Sequence, residues 1–397
     1  RTLGTWELIA LGIGAIIGAG IFATVGTAAA GNGARPGAGP GLILSFVLTA
    51  AVCALAALCY AELAALVPIA GSAYTYAYAT LGELVAWIIG WDLIIEYAVG
   101  NVAVAISWSG YFRELLMGVG LEIPMWLATD VRTALASPEI MAVAPRIAGI
   151  PIVMNLPAAF IVLAITWVLV IGVKESSRLN VLMVIIKLAV LAFFVIVGTF
   201  YVAPENYHPF LPNGWPGVWA GAAIVFFAYI GFDAVSTAAE ETKDPGRNLP
   251  RGILGSLIIS TIVYVLVAAV VVGMVPTSEL HTAEPLALAM NRHGLGWAAG
   301  IVAVGSVAAN TAVLLVFQLG QPRIFFSMAR DGLLPPAFAR VHPRYKTPHM
   351  TTILTGVLVA VFASFANIEE MVELTNIGTL FAFAIVAAGV IVLRRTN

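Results

Sequence analysis

The sequence predicts an all-α membrane protein whose helices cross the bilayer many times. Hydrophobic residues make up 61% of its 397 residues and charged residues only 10%, whereas soluble domains carry about 25% charged residues. The apolar residues fall in runs of about 20, the length that a helix needs to span the hydrocarbon core. A transmembrane β-barrel is excluded because its strands alternate apolar and polar residues.

Ten apolar segments can be marked, and the loops between them predict the orientation. With the N-terminus in the cytoplasm, thirteen loop Arg and Lys residues fall on the inner side and five on the outer side. The positive-inside rule therefore predicts a multi-pass protein of the plasma (inner) membrane with its N-terminus in the cytoplasm. The segments run over approximately 5–30, 41–67, 84–112, 157–173, 179–202, 217–239, 252–275, 297–328, 350–366 and 371–393.

The first segment contains a cluster of four glycines in L-G-I-G-A-I-I-G-A-G-I-F (11–22). Each glycine weakens a helix by about 1 kcal/mol relative to alanine, so the cluster predicts a helix interrupted near Gly18 and Gly20. Backbone groups freed in lipid need partners. A small zwitterion would supply them, with its carboxylate at the N-terminus of the outer half-helix and its ammonium on the carbonyls that end the inner half. Close packing of helices through small residues is the alternative.

The sixth segment has a similar irregularity, because Gly231 lies in the middle of the span, next to Asp233. The two unusual segments are five segments apart, and an odd number of spans inverts a second copy. This spacing predicts two five-helix repeats of opposite topology (5+5). The first repeat would cover 1–202, an outer linker 203–216, and the second repeat 217–397.

Ionisable residues inside the apolar segments indicate function by default. Glu96 could hold a proton or contact a substrate ammonium, or it could be a neutral acid bonded to a neighbouring helix. Lys187 lies roughly 13 Å into the membrane, counted along a helix from Arg178. It is either a snorkelling lysine or a cation, fixed or titrating, whose charge makes a metal ion unnecessary. Asp233 could face a half-helix N-terminus, line a proton path or cap the outgoing helix.

Other function classes have little support in the sequence. The net charge of −2 argues against a nucleic-acid partner, and the five histidines form no motif with Ser, Cys or Glu that would serve an enzyme or a metal. We expect no cofactor. The long outer loop at about 113–156 is interpreted as an insertion and not as a functional cap.

Taken together, these residues make the chain resemble the amino acid–polyamine–organocation (APC) superfamily, and within it the bacterial relatives of the cationic amino acid transporter family. The resemblance covers nearly the whole chain. Its motifs are G-I-G-A-I-I-G-A-G-I-F (12–22), Y-A-E-L-A…P-I-A-G-S-A-Y-T-Y (60–76), G-W-D-L-I-I-E-Y-A-V-G (90–100), G-V-K-E-S-S-R-L-N (172–180), V-F-F-A-Y-I-G-F-D-A-V-S-T-A-A-E-E (225–241) and R-I-F-F-S-M-A-R-D-G-L-L-P (323–335).

The resemblance implies an inverted-repeat fold with unwound first and sixth helices, alternating access, and L-amino acid uptake that is proton-driven in bacterial members. Lys187 matches the lysine that, in sodium-independent relatives, occupies the position where sodium would bind. Lys187, Glu96 and Asp233 are expected to take part in proton coupling. The implied substrate contacts are the backbone of Ala19, Gly20 and Ile21 for the carboxylate, the carbonyls of Ile16, Phe227 and Ile230 for the ammonium, and Glu96 and Gly100 along the wall.

Two departures from the family pattern affect the expected substrate. Relatives often carry a hydroxyl residue where this chain has Ala19, and a smaller or more flexible residue where it has Phe317. An aromatic ring at the pocket should reduce the space for the substrate side chain. We therefore expect small or neutral amino acids to be favoured over arginine. An exchanger or facilitator with cationic substrates, and a transporter-like sensor, remain the alternatives.

Overall fold

The computed structural model describes residues 3–67, 72–147, 149–171, 177–345 and 347–396. Parts of the motifs at 60–76 and 172–180 lie outside these ranges. Within them the chain is almost entirely helical. The α-helices are α1 (Thr5–Ile16), α2 (Val25–Ala30), α3 (Leu42–Leu66), α4 (Ser72–Leu81), α5 (Glu83–Gly118), α6 (Val131–Leu135), α7 (Pro138–Val143), α8 (Leu156–Ile171), α9 (Ser177–Thr199), α10 (Gly214–Val225), α11 (Pro245–Met274), α12 (Pro285–Arg292), α13 (Gly296–Arg330), α14 (His349–Phe365) and α15 (Ile368–Thr396).

The prediction of an all-α polytopic membrane protein is confirmed. In the described ranges, seven helical segments are long and apolar enough to cross a membrane, and the bent pair α1 and α2 makes an eighth candidate. Two shorter apolar helices, α8 and α14, complete the set. Each of these ten units overlaps one of the ten apolar segments marked in the sequence.

Among the described residues, the strands form two small antiparallel hairpins. β1 (Gly31–Asn32) pairs with β2 (Arg35–Pro36), and β3 (Arg146–Ile147) pairs with β4 (Ile150–Pro151). The first hairpin follows α2, the second half of the first span. The second belongs to the long loop between α5 and α8, which also contains α6 and α7.

The long helices pack around the broken ones. α5 lies against α13 and α15, while α11 lies against α1 and α3. α9 contacts α1, α11 and α13. The first span is thus enclosed by neighbouring helices, which gives its irregular backbone the protein partners that lipid could not supply.

Candidate functional site

The first span is broken at mid-length. α1 ends at Ile16, and Ile17 has extended backbone angles (φ −79°, ψ 105°). The helix resumes as a π-helical turn over Gly20–Thr24 that continues into α2, and the two halves are bent by 43°. At such a break, the last carbonyls of the first half and the first amides of the second half have no partners within their own helix.

The second break lies in the continuation of α10. A 3₁₀ turn over Phe226–Tyr229 is followed by an extended Ile230 and by Gly231 with a φ of +118°. This left-handed conformation favours glycine. A side chain is also excluded by space, because a Cβ on Gly231 would lie 2.9 Å from the carbonyl oxygen of Ala15. The chain then continues as a 3₁₀ helix over Phe232–Glu241.

The two breaks are in direct contact. A Cβ on Gly20 would lie 2.2 Å from the Cα atom of Ala228, so only glycine allows the backbones to approach so closely. The hydroxyl of Tyr264 on α11 lies 3.0 Å from the carbonyl oxygen of Ile16 and 2.8 Å from that of Ala228. One hydroxyl proton therefore serves an acceptor from each break.

Lys187 on α9 lies at the end of α1. Its side chain is fully buried, and its ammonium donates to the carbonyl oxygens of Gly14 and Ile17, both at 2.8 Å. A snorkelling lysine would extend towards the membrane surface. This one extends into the protein and hydrogen-bonds the backbone at the end of α1.

Two carboxyl groups of the predicted site are buried, one on α5 and one directly after the second break. Glu96 on α5 is 4% exposed, and together with Asp92 it faces α15 at Gly378, where an added Cβ would lie 3.5 Å from the Cβ of Glu96. One carboxyl oxygen of Glu96 has no hydrogen-bond partner. Asp233 is equally buried and accepts a hydrogen bond of 3.3 Å from Ser72 at the start of α4.

Phe317 on α13 lies beside Gly100. A Cβ on Gly100 would be 3.1 Å from the Phe317 ring, so this ring occupies the space that the glycine leaves. The ring also stacks on Tyr97, with centroids 5.4 Å apart and planes 6° from parallel. The sequence-predicted site residues are thus distributed over the two breaks, α5, α9 and α13.

Sequence reasoning missed a cavity of about 320 Å³ just beyond the first break. Its lining includes Thr24 in the second half of the first span, Ile224 on α10, and Asp130 and Asn155 from the long loop after α5. None of the predicted site residues lines it. The long loop, which the sequence analysis interpreted as an insertion, thus forms part of the wall of this cavity. The length of the loop was the available signal.

Two ion pairs line this cavity, which we call the vestibule. Arg113 pairs with Glu284 at 3.0 Å, and His281 with Glu369 at 2.8 Å. The hydrogen bond to Glu369 raises the pKa of His281 above its ordinary value, while burial raises the pKa of Glu284 despite the neighbouring Arg113. Asn32, just beyond α2, also donates to Glu369 at 2.9 Å. The contact of Asn32 connects the C-terminal end of the first span to α15.

Two discontinuous helices that meet inside a bundle, with half-helix ends and a buried cation at the junction, define the architecture of a secondary transporter. The sequence profile of the Amino acid permease family matches residues 3–397. The chain belongs to this family, and the predicted place in the APC superfamily is confirmed. It is an amino acid transporter and not an enzyme.

Individual relatives are similar over the whole chain. The branched-chain amino acid permease BcaP of Bacillus subtilis is 47% identical over 396 residues, which cover 100% of this chain and 81% of the relative. The methylthioribose transporter of the same organism is also 47% identical, with 100% and 82% coverage. The vacuolar cationic amino acid transporter 4 of Arabidopsis thaliana is 40% identical over 99% of this chain and 63% of its own length.

Proposed function

We propose that this protein imports small or neutral L-amino acids together with protons, by alternating access and without sodium. The observation that supports this most directly is the contact of Lys187 with the carbonyls of Gly14 and Ile17. A buried ammonium supplies at the end of α1 the positive charge that a sodium ion could otherwise provide. A lysine can also release and regain a proton, which an arginine in this place could not do.

The substrate is held between the breaks in this proposal. Its carboxylate meets the amides of Ala19, Gly20 and Ile21, where the helix dipole favours an anion. Its ammonium meets the carbonyls of Ile16, Phe227 and Ile230. Tyr264 already donates towards Ile16, so the ammonium would replace that donor while Tyr264 keeps its bond to Ala228.

The wall of the site sets the size of the substrate. Glu96, Gly100 and Phe317 line the space for its side chain, and the Phe317 ring restricts that space. Glu96 and Asp233 take part in proton coupling with Lys187. Residues 1–202 and 217–397 form two inverted repeats, and the N-terminus lies in the cytoplasm. The two repeats move relative to each other about the breaks at Gly18, Gly20 and Gly231.

The test is uptake of labelled L-alanine, L-leucine and L-arginine into liposomes with an inward proton gradient and no sodium. We expect gradient-driven uptake of alanine, with arginine at least tenfold weaker, and loss of the gradient dependence in Lys187→Ala. The matched control is Leu182→Ala, because Leu182 lies on the same helix and is 51% exposed towards the bilayer. Uptake that ignores both the gradient and the Lys187 substitution would establish a facilitator or exchanger instead.

Methylthioribose is the second candidate substrate, because the relative with that name is as similar to this chain as the branched-chain permease is. The geometry favours an amino acid. Half-helix ends offer amides to a carboxylate and carbonyls to an ammonium, and methylthioribose carries neither charge. Competition by unlabelled methylthioribose in the alanine assay distinguishes the two, and strong inhibition by methylthioribose would favour the sugar.

A further inference from the structure

Buried polar atoms without a hydrogen-bond partner concentrate on two helices. In the described part of the chain there are twelve such side-chain atoms, of which α5 carries five and α13 three. Buried polar groups are normally satisfied, by protein or by ordered water. Asp92 and Glu96 face α15, whereas Asn310 and Gln321 lie where α13 packs against α5. The amides at this contact point to a ligand that the protein itself does not provide.

The amides on α13 share one pattern. Gln321 donates to the carbonyl of Ile94 at 2.9 Å, and Asn310 donates to the hydroxyl of Ser107 at 3.1 Å. In both, the amide nitrogen is bonded across to α5 while the amide oxygen has no partner. A ligand bound here would consequently donate hydrogen bonds to these oxygens.

Gln318 repeats this pattern towards α8. Its nitrogen lies 3.2 Å from the hydroxyl of Thr166, and its oxygen has no partner although the side chain is 97% buried. Gln318 also lines a second cavity, of about 200 Å³, together with Arg323, Thr347 and Pro348. These lie towards the C-terminal end of α13 and the start of α14, which is the cytoplasmic side in the proposed orientation.

Asn101 on α5 adds a fourth unsatisfied amide. It is fully buried, and neither its nitrogen nor its oxygen has a partner. It follows Gly100 directly, so it lies on the stretch of α5 that faces the candidate site. Its nitrogen and oxygen require a ligand that both donates and accepts, which is what water does.

At its far end the row of amides reaches the first break. The oxygen of Asn310 would lie 3.6 Å from a Cβ on Gly18. From Asn310 to Gln321 the helix rises about 17 Å. Oxygens spread over such a length cannot share one ion, whose oxygen ligands lie at about 2–2.6 Å, but they suit several water molecules in a row.

We propose that the contact between α5 and α13 binds a chain of ordered water molecules, which links the break at Gly18 to the cavity at Gln318 and carries the coupled proton to the cytoplasm. The water chain rests on the unsatisfied amides alone, and its role in proton transfer rests on the proposed function. The substrate and the proton would then leave the site by different routes.

Hydroxyl-radical footprinting tests for the water chain directly, because X-ray pulses modify side chains that touch bound water. Tyr97 is the reporter, since its ring contacts α13 at Gly320, next to Gln321. With the full chain in lipid nanodiscs, we expect modification of Tyr97 to fall at least threefold in Gln321→Leu and in Asn101→Leu. Ser260→Ala is the matched control, because Ser260 is buried with an unpartnered hydroxyl on α11, and it should leave Tyr97 unchanged.

The outcomes separate the two proposals. Equal modification of Tyr97 in wild type and in both variants would overturn the water chain, whatever drives transport. Reduced modification with an unchanged proton-driven uptake would overturn its role as the proton route. The proposal is supported when proton-driven uptake falls at least tenfold while exchange of labelled for unlabelled alanine is retained. Retained exchange also shows that the variants are folded.

Discussion

The ammonium nitrogen of Lys187 lies 2.8 Å from the carbonyl oxygen of Ile17, the first residue after α1. An equal contact to Gly14 means that one side chain satisfies two backbone acceptors at the end of the helix. These acceptors lie at mid-membrane depth, where no bulk water is present to replace the lysine. Lys187 therefore stabilises the break besides any role in coupling.

Substitution of Lys187 by methionine tests this structural role. Methionine has a similar length but no donor, so both carbonyls lose their partner, and an unsatisfied buried group costs about 1–3 kcal/mol. We expect the melting temperature of the purified protein to fall by several degrees. Leu182→Met on the same helix serves as the control, and an equal melting temperature in the two variants would contradict the assignment.

Replacement of Gly20 by alanine should separate the two breaks. The added Cβ would lie 2.2 Å from the Cα atom of Ala228, so the backbones must move apart and the site between them must change shape. We expect alanine uptake to fall at least tenfold. Gly300→Ala is the control, because no atom lies within 4 Å of a Cβ there and alanine favours the helix by about 1 kcal/mol. Comparable uptake in both variants would show that the close approach is dispensable.

Replacement of Phe317 by alanine should change substrate size. The ring fills the space beside Gly100 and stacks on Tyr97, so its removal leaves a larger pocket. We expect the ratio of leucine or arginine uptake to alanine uptake to rise at least fivefold. Phe160→Ala provides the control, since that ring is 62% exposed on the lipid-facing side of α8. An unchanged ratio would place Phe317 outside the pocket wall.

The contact between His281 and Glu369 should make access to the vestibule depend on pH. Because Glu369 raises the pKa of His281, the charged pair is fully present below the ordinary histidine pKa and is lost as the pH rises through the raised value. Arg132, paired with the adjacent Glu370, keeps its charge throughout. The vestibule should therefore open more easily at pH 8.5 than at pH 6.

A cysteine at Thr27, which lines the vestibule, reports this opening through its rate of modification by a membrane-impermeant thiol reagent. Both native cysteines are replaced by alanine beforehand. Thiol reactivity itself increases with pH, so the measurement is the rate with His281 intact divided by the rate in His281→Gln. This ratio should rise between pH 6 and pH 8.5, and a constant ratio would argue against the histidine contact as a closing element.

The membrane class, the helices and the approximate positions of the breaks were determined by the sequence itself. Runs of apolar residues and clusters of glycine act locally, through hydropathy and helix propensity, and no distant contact is needed to read them. The ionisable residues within the spans could also be recognised from the sequence, because a charged residue in an apolar segment is unusual whichever way its side chain points.

Which groups meet was decided only by the tertiary structure. Helix packing brings Gly20 against Ala228, Lys187 to Gly14 and Ile17, and Tyr264 between two carbonyls, although these residues are far apart in the chain. The vestibule was missed for the same reason: its wall combines a loop, two span ends and the start of α15. The unsatisfied amides of α5 and α13 look like ordinary polar residues in the sequence, because satisfaction depends on where neighbouring donors and acceptors lie in space.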